Sequence, residues 1–124
     1  MCRIDGADRS EVYSESTHRA RKEHKCYECR RAIMPGEVYR RVFTVTEGDA
    51  SSMKVCGHCI VAQDWLISNC GGYVYGEVRE EIEEHAQEYR ALSLARIAVG
   101  MRRKWRRLRG DGLLAVPPSP AALI

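Results

Sequence analysis

The chain has 124 residues, of which 44% are hydrophobic and 30% charged, and a formal net charge of +3. This is the profile of one ordinary globular domain with room for a helical extension, and the charge is too small to mark a polyanion binder by itself. No apolar run approaches the roughly 18 residues that a membrane-crossing helix needs. Met1-Cys2-Arg3-Ile4-Asp5 also lacks the apolar segment of a secretory signal, so the expected location is the cytoplasm.

Residues 1–25 carry six basic and five acidic residues with no apolar period, and are expected to form an irregular arm. Residues 26–76 read as a metal module. Its frame is Cys26-x-x-Cys29, a gap of twenty-six residues, and Cys56-x-x-Cys59. A C-x-x-C pair on a tight turn lets two sulfurs reach one ion at about 2.3 Å, and two such pairs complete a tetrahedral tetrathiolate that suits Zn²⁺. With no secretory signal, paired cysteines point to metal rather than to disulfides. A single Phe and 7% aromatic residues make for a modest core, which such a staple would help to stabilise.

The gap between the pairs holds a hairpin. Pro35-Gly36 signals a turn, and Glu37 to Glu47 alternates Tyr39, Phe43 and Val45 with Arg40, Val42, Thr44 and Thr46. Gly48-Asp49 turns the chain, and Ser51 to Val55 returns it to Cys56. From Cys56, apolar positions three and four apart (Ile60, Val61, Trp65, Leu66, Ile67) predict a helix that Gly71-Gly72 ends. Cys56 and Cys59 then sit on its first turn, where free N–H groups favour thiolates. Lys25, Arg30, Arg31 and Lys54 adjoin the cysteines and offset the centre's negative charge. Residues 71–76 form a glycine-bounded connector. The expected fold is therefore α+β: a treble-clef zinc finger of knuckle, hairpin and helix, followed by a helical extension.

That extension spans 77–109 and is expected to form two helices, about 77–90 and 94–109, with Ser93 as N-cap of the second. Glutamates crowd its start. Arg102, Arg103, Lys104, Arg106, Arg107 and Arg109 crowd its end. Val78, Ile82, Ala86 and Tyr89 form one apolar stripe, and Met101, Trp105 and Leu108 another. Gly110-Asp111-Gly112 and Pro117-Pro118-Ser119-Pro120 mark 110–124 as a mobile tail.

Of the remaining reactive residues, Cys70 reads as a small buried residue and Cys2 as a free terminal thiol. His24 and His58 read as exposed knuckle residues, His18 and His85 as surface residues, and Trp65 as core. Cys56-Gly57-His58-Cys59 matches the tetrapeptide of disulfide isomerases, leaving a thiol–disulfide oxidoreductase as a remote alternative. Against it, a thioredoxin fold sets a later cis-proline beside that motif, and no proline lies between Pro35 and Pro117. A treble-clef nuclease would need a hairpin histidine, and 30–55 contains none.

The runs Arg21 to Arg30, Ile33-Met34-Pro35-Gly36-Glu37, Val55-Cys56-Gly57-His58-Cys59 and Asp64-Trp65-Leu66 resemble small zinc-finger proteins of bacteriophage and prophage genomes. The likeness covers about 21–76 and extends loosely through Met101 to Trp105. The resemblance implies a treble clef and a phage origin, without substrate or reaction. The resulting expectation is a non-enzymatic protein with one structural Zn²⁺ that binds and modulates a protein of host or phage machinery. The alternative is a nucleic-acid-binding regulator using Arg40, Arg41 and the six cations of 102–109. The protein reading leads because the Glu-rich 77–88 segment repels phosphate. No catalytic residue, small-molecule substrate or membrane partner is expected.

Overall fold

Nine residues of β-former character from Val38 to Thr46 lie at the centre of the sheet in the computed structural model, which describes residues 12–105 and 115–121. This strand, β4, pairs antiparallel with β5 (Asp49–Cys56) through a two-residue loop. Glu47 and Gly48 both take positive φ (52° and 83°), the mirror-image turn whose twist matches that of paired strands. The turn falls one residue earlier than expected, because Asp49 already pairs with Thr46.

On its other side β4 pairs antiparallel with β1 (Val12–Arg19), giving the order β1-β4-β5. The expected irregular arm of residues 1–25 therefore contains a full edge strand in its described part. Its signal is absent because Ser14 to Arg19 are all exposed, so no apolar alternation exists to read. The backbone ladder holds β1, helped by Arg19 donating to Gly36 O at 2.8 Å and by Glu15 lying 3.8 Å from Arg40. A small hairpin, β2 (His24–Lys25) with β3 (Ala32–Ile33), encloses the first cysteine pair.

The helix α1 (Gly57–Cys70) follows β5 directly and ends at Gly71, whose φ of 79° closes a bond from its N–H to Ile67 O at 2.9 Å. Two further helices, α2 (Val78–Tyr89) and α3 (Leu92–Arg102), pack on each other and on α1. Arg90 separates them in a left-handed conformation (φ 50°), and Ala91 N–H reaches Ala86 O at 3.0 Å. Ala91, not Ser93, occupies the N-cap of α3, and it makes no side-chain cap bond. α3 stops at Arg102, well short of 109, because Lys104 and Trp105 both take positive φ (57° and 51°). Trp105 thereby leaves the expected helical stripe and folds back, its N–H bonding to Gly100 O at 2.7 Å. Leu108 lies outside the described residues.

The core forms where these elements meet. Ile33 and Val55 pack with Trp65 and Leu66 of α1, Val78 and Ile82 of α2, and Leu94, Ile97 and Met101 of α3. Trp65 is core, as its spacing predicted. Its indole N–H finds an acceptor in the tail, donating to Ala121 O at 3.1 Å. The described tail, 115–121, has neither helix nor strand, yet it lies against α1 rather than free of it. A buried indole N–H needs a partner, and this segment supplies one. None of the described helices is long and apolar enough to cross a membrane.

The fold leaves Gly100 no room for a side chain, since a Cβ there would fall within the Trp105 ring. Gly100→Ala should push Trp105 off its seat against His58 and cost about 1–3 kcal/mol, as overpacking generally does. Thermal unfolding and tryptophan emission check this. An unchanged midpoint and spectrum would show that the Trp105 seat contributes nothing.

Candidate metal centre

The β2–β3 hairpin is a tight turn built from backbone bonds: Cys26 N–H to Arg31 O at 2.8 Å and Arg30 N–H to Cys26 O at 3.0 Å. Arg30 takes φ 64° to close it. This curls Cys26 and Cys29 onto one side. The second pair arrives on a different scaffold. Cys56 ends β5 and is the N-cap of α1, while Cys59 lies in its first turn.

The structure brings the four sulfurs within 4.8 Å of one another, and all four cysteines are free of disulfides. Cys26, Cys56 and Cys59 are fully buried and Cys29 nearly so. Cys29 Sγ and Cys56 Sγ stand 3.8 Å apart. Two vertices of a tetrahedron with bonds of about 2.3 Å are separated by about 3.8 Å, so this edge has the length a four-thiolate metal ion requires. Cys56 N–H also points at Cys26 Sγ, 3.4 Å away. Among the four, Cys56 is driven far below the ordinary thiol range by hydrogen bonds from Cys26, then Cys29 and Cys59. Cys59 is pushed far above it, first by Cys26. Cys56 stands at the N-terminus of α1, where the backbone dipole favours a thiolate. The donor set fits a soft divalent ion.

Around the cluster lie polar residues that the sequence did not announce. Glu37 is buried and accepts two bonds from Arg31, at 2.7 and 3.1 Å, and one from Met34 N–H at 2.7 Å. Burial opposes the Arg31 charge, but Glu37 and then the Cys56 sulfur outweigh it and raise its pKa. Arg31 further donates to His58 Nδ1 at 3.2 Å. His58, expected to be exposed, is only 1% accessible and stacks at 5.0 Å from Trp105. The loop after Cys26 is fastened as well. Glu28 accepts from Gln63 of α1 at 2.9 Å and from Gly76 N–H at 2.8 Å, although burial raises its pKa. Gln63 and Gly76 are 35 and 48 residues away, so no local pattern could have found Glu28.

His85 was also expected at the surface and is 1% accessible, with Glu81 at 0%. Both fall on the Val78–Ile82–Ala86 face, so their helical spacing is the signal that the apolar reading passed over. Cys70 Sγ lies 3.5 Å from His85 Nε2, and Glu81 Oε1 lies 3.8 Å from the same nitrogen. These three donors also cluster within 4.8 Å. Cys70, however, is disulfide-bonded, so it is neither a simple buried thiol nor an open ligand. Cys2 lies outside the described residues.

The expected partner contacts separate into two kinds. Arg40 is engaged within the fold: its guanidinium binds Asp64 of α1 at 3.0 and 3.3 Å and lies 3.8 Å from Glu15. Arg41, on the other sheet face, is exposed. Arg102, Arg103 and Lys104 are exposed too, but the last two lie beyond the helix. Arg106, Arg107 and Arg109 are outside the described residues. No protein-family model, curated protein or solved structure matches the chain.

Purified protein should carry about one metal ion per chain, and a strong chelator should unfold it, because binding energy at such a centre is folding energy. Cys26→Ser and Cys56→Ser should lose the metal and the fold, whereas Cys70→Ala should keep the metal. Metal analysis paired with circular dichroism decides this; a metal-free preparation of native stability would sink it. A second outcome concerns Glu37. Glu37→Gln leaves the half-buried Arg31 charge without its carboxylate and should cost about 1–3 kcal/mol in denaturant unfolding, with metal content retained. A change within error would mean that the pair contributes no net stability.

Proposed function

We propose that this chain is a non-enzymatic interaction protein whose fold one structural Zn²⁺ completes in a treble-clef arrangement. The observation that carries this reading is the burial of all four cysteines around one point. Four thiolates fill a tetrahedral shell and leave no position for water or substrate, which is the pattern of structural rather than catalytic zinc. The order of knuckle, hairpin and helix supports the treble-clef reading. Burial of Cys56 and Cys59 against Cys26 and Cys29 keeps a substrate disulfide away from them and weighs against redox turnover.

Support for a protein partner comes from a groove along α3. Leu92, Ala95, Val99, Gly100 and Trp105 floor it, Arg96 and Arg103 border it, and it encloses about 470 Å³. Leu92, 65% exposed, stands at the edge of that floor. An apolar floor with a cationic border suits a peptide segment with apolar anchors and flanking acids. The phage resemblance of the cysteine motifs makes a host or phage machine the partner class, in the cytoplasm of a bacterial host. The second reading, a nucleic-acid contact at the α3 end, draws on the exposure of Arg102, Arg103 and Lys104.

Zinc-loaded protein should capture a partner from nuclease-treated bacterial lysate, and Leu92→Asp should weaken that capture at least about tenfold while preserving helicity. If Leu92→Asp retains the same partners equally well, the groove is not the binding site.

A further inference from the structure

The two faces of the β1-β4-β5 sheet differ sharply in charge. One carries Arg40, Val42 and Thr44 with Met53 and Val55, is largely buried, and is tied to α1 through Arg40 and Asp64. Register places both strand carboxylates on this side: Glu15 opposite Val42, and Asp49 opposite Thr46. The other face receives no carboxylate from any of the three strands. It presents Arg41, Phe43 and Lys54, with Ser16, Ser52 and His18 around them.

Two features of this face are unfavourable for a surface that meets only water. Arg41 and Lys54 are register partners, directly opposite on neighbouring strands, and like charges in that position repel. Neither is paired with a carboxylate among the described residues: Arg41 Nε donates to Ser52 Oγ at 3.4 Å, and Lys54 Nζ donates to His24 Nδ1 at 3.1 Å. The chain's single Phe, Phe43, lies beside Arg41 on the central strand with 39% of its surface exposed. A protein short of aromatic core has left its one phenylalanine outside, beside the Arg41–Lys54 pair and between Ser14 and Ser52.

The face continues into two concavities at the knuckle end, which share His24. One, of about 820 Å³, is bordered by Arg19, Arg21 and Lys22. The other, of about 390 Å³, is bordered by Lys25, Arg30 and Lys54, with the Arg30 guanidinium 5.1 Å over the Tyr27 ring. The two negative charges of a zinc tetrathiolate do not absorb this many cations, and Arg31 is already engaged beside Cys56.

An open sheet face with an exposed aromatic ring beside a cation pair matches the recognition of unpaired bases, which stack on the ring while the adjacent phosphates meet the charges. A duplex offers the phosphates but keeps its bases stacked on one another. We propose that this face binds single-stranded nucleic acid, with a base on Phe43, the adjacent phosphates on Arg41 and Lys54, and the strand leading on towards Lys25 and Arg30. The surface is separate from the α3 groove, so each can fail without the other.

The test is fluorescence anisotropy of the full-length, metal-loaded chain with labelled oligothymidylate and oligouridylate of about 12 nucleotides, within the usual site sizes, and with a duplex of the same length. Single strands should bind more tightly than duplex at about 50 mM salt. Phe43→Ala should weaken single-strand binding roughly 5- to 150-fold, the range of one lost base stack, without changing its salt dependence. Arg41→Gln with Lys54→Gln should make the log–log salt slope shallower by about 1.4, or about 0.7 per phosphate contact. That double variant should also unfold at the same temperature as the wild type or higher, since it relieves a like-charge pair; a lower midpoint would mark the cations as structural. Leu92→Asp should bind oligonucleotide normally, which separates this result from that of the groove. No single-strand binding by the wild type overturns the proposal. So does binding that survives the sheet-face variants but is lost when Arg102, Arg103 and Lys104 become Gln, or equal retention of heparin with no effect of Phe43→Ala.

Discussion

Four sulfurs brought to one point by scaffolds distant in sequence set the constraint on which the rest of this structure depends. The β2–β3 hairpin has only two residues per strand and is too short to hold itself in place. It is held because Cys26 and Cys29 must meet Cys56 and Cys59, which the end of β5 and the start of α1 deliver. Four thiols packed in contact make a poor core by themselves. A bound cation would turn their mutual repulsion into bonds and make the junction of hairpin, sheet and helix rigid. Ile33, Val55 and Trp65, in turn, have a common core to pack into because that junction exists.

Polar side chains finish what the sulfurs begin. Arg31 spans Glu37 and His58, and so joins the entry of β4 to the first turn of α1. Glu28 ties the knuckle to Gln63 and to the connector at Gly76. Burial here runs ahead of hydrogen bonding, since Arg31 Nε, His58 Nε2 and Gln63 Oε1 are buried with no hydrogen-bond partner among the described residues. His58 is the clearest case: it is flanked by two cluster cysteines, yet it is turned inward against Trp105 rather than out to solvent.

The proposed role is recognition, since a closed four-thiolate centre would offer no open position for chemistry. The fold offers two surfaces of different character. The α3 groove is apolar with a cationic border, and the open sheet face is cationic with an aromatic centre. Their separation follows from how charge is distributed between strand faces. Arg40 and Arg41 are neighbours in sequence, but strand alternation sends the first to Asp64 and the second to solvent. A small net charge thus coexists with a cationic sheet face, because Glu15 of β1 and Asp49 of β5, both exposed, register on the opposite face.

Local patterns in the chain determined what short-range physics can specify. The two C-x-x-C pairs, the alternation of β4, the glycine stop at Gly71 and the apolar stripe of α2 each act within a few residues, and each is legible without coordinates. Tertiary structure decided everything that depends on a partner distant in sequence. β1 has no apolar alternation and exists only because β4 has a free edge to pair. The tail segment at Ala121 is placed by the need of a buried indole N–H, and α3 ends early because the Trp105 ring has a seat on Gly100. His85 and Glu81 turn inward because the Val78–Ile82–Ala86 stripe buries its whole face, polar residues included. Burial belongs to an assembled surface and not to a residue type, so sequence could single out the four sulfurs that cluster but not which histidines, arginines or glutamates would close around them.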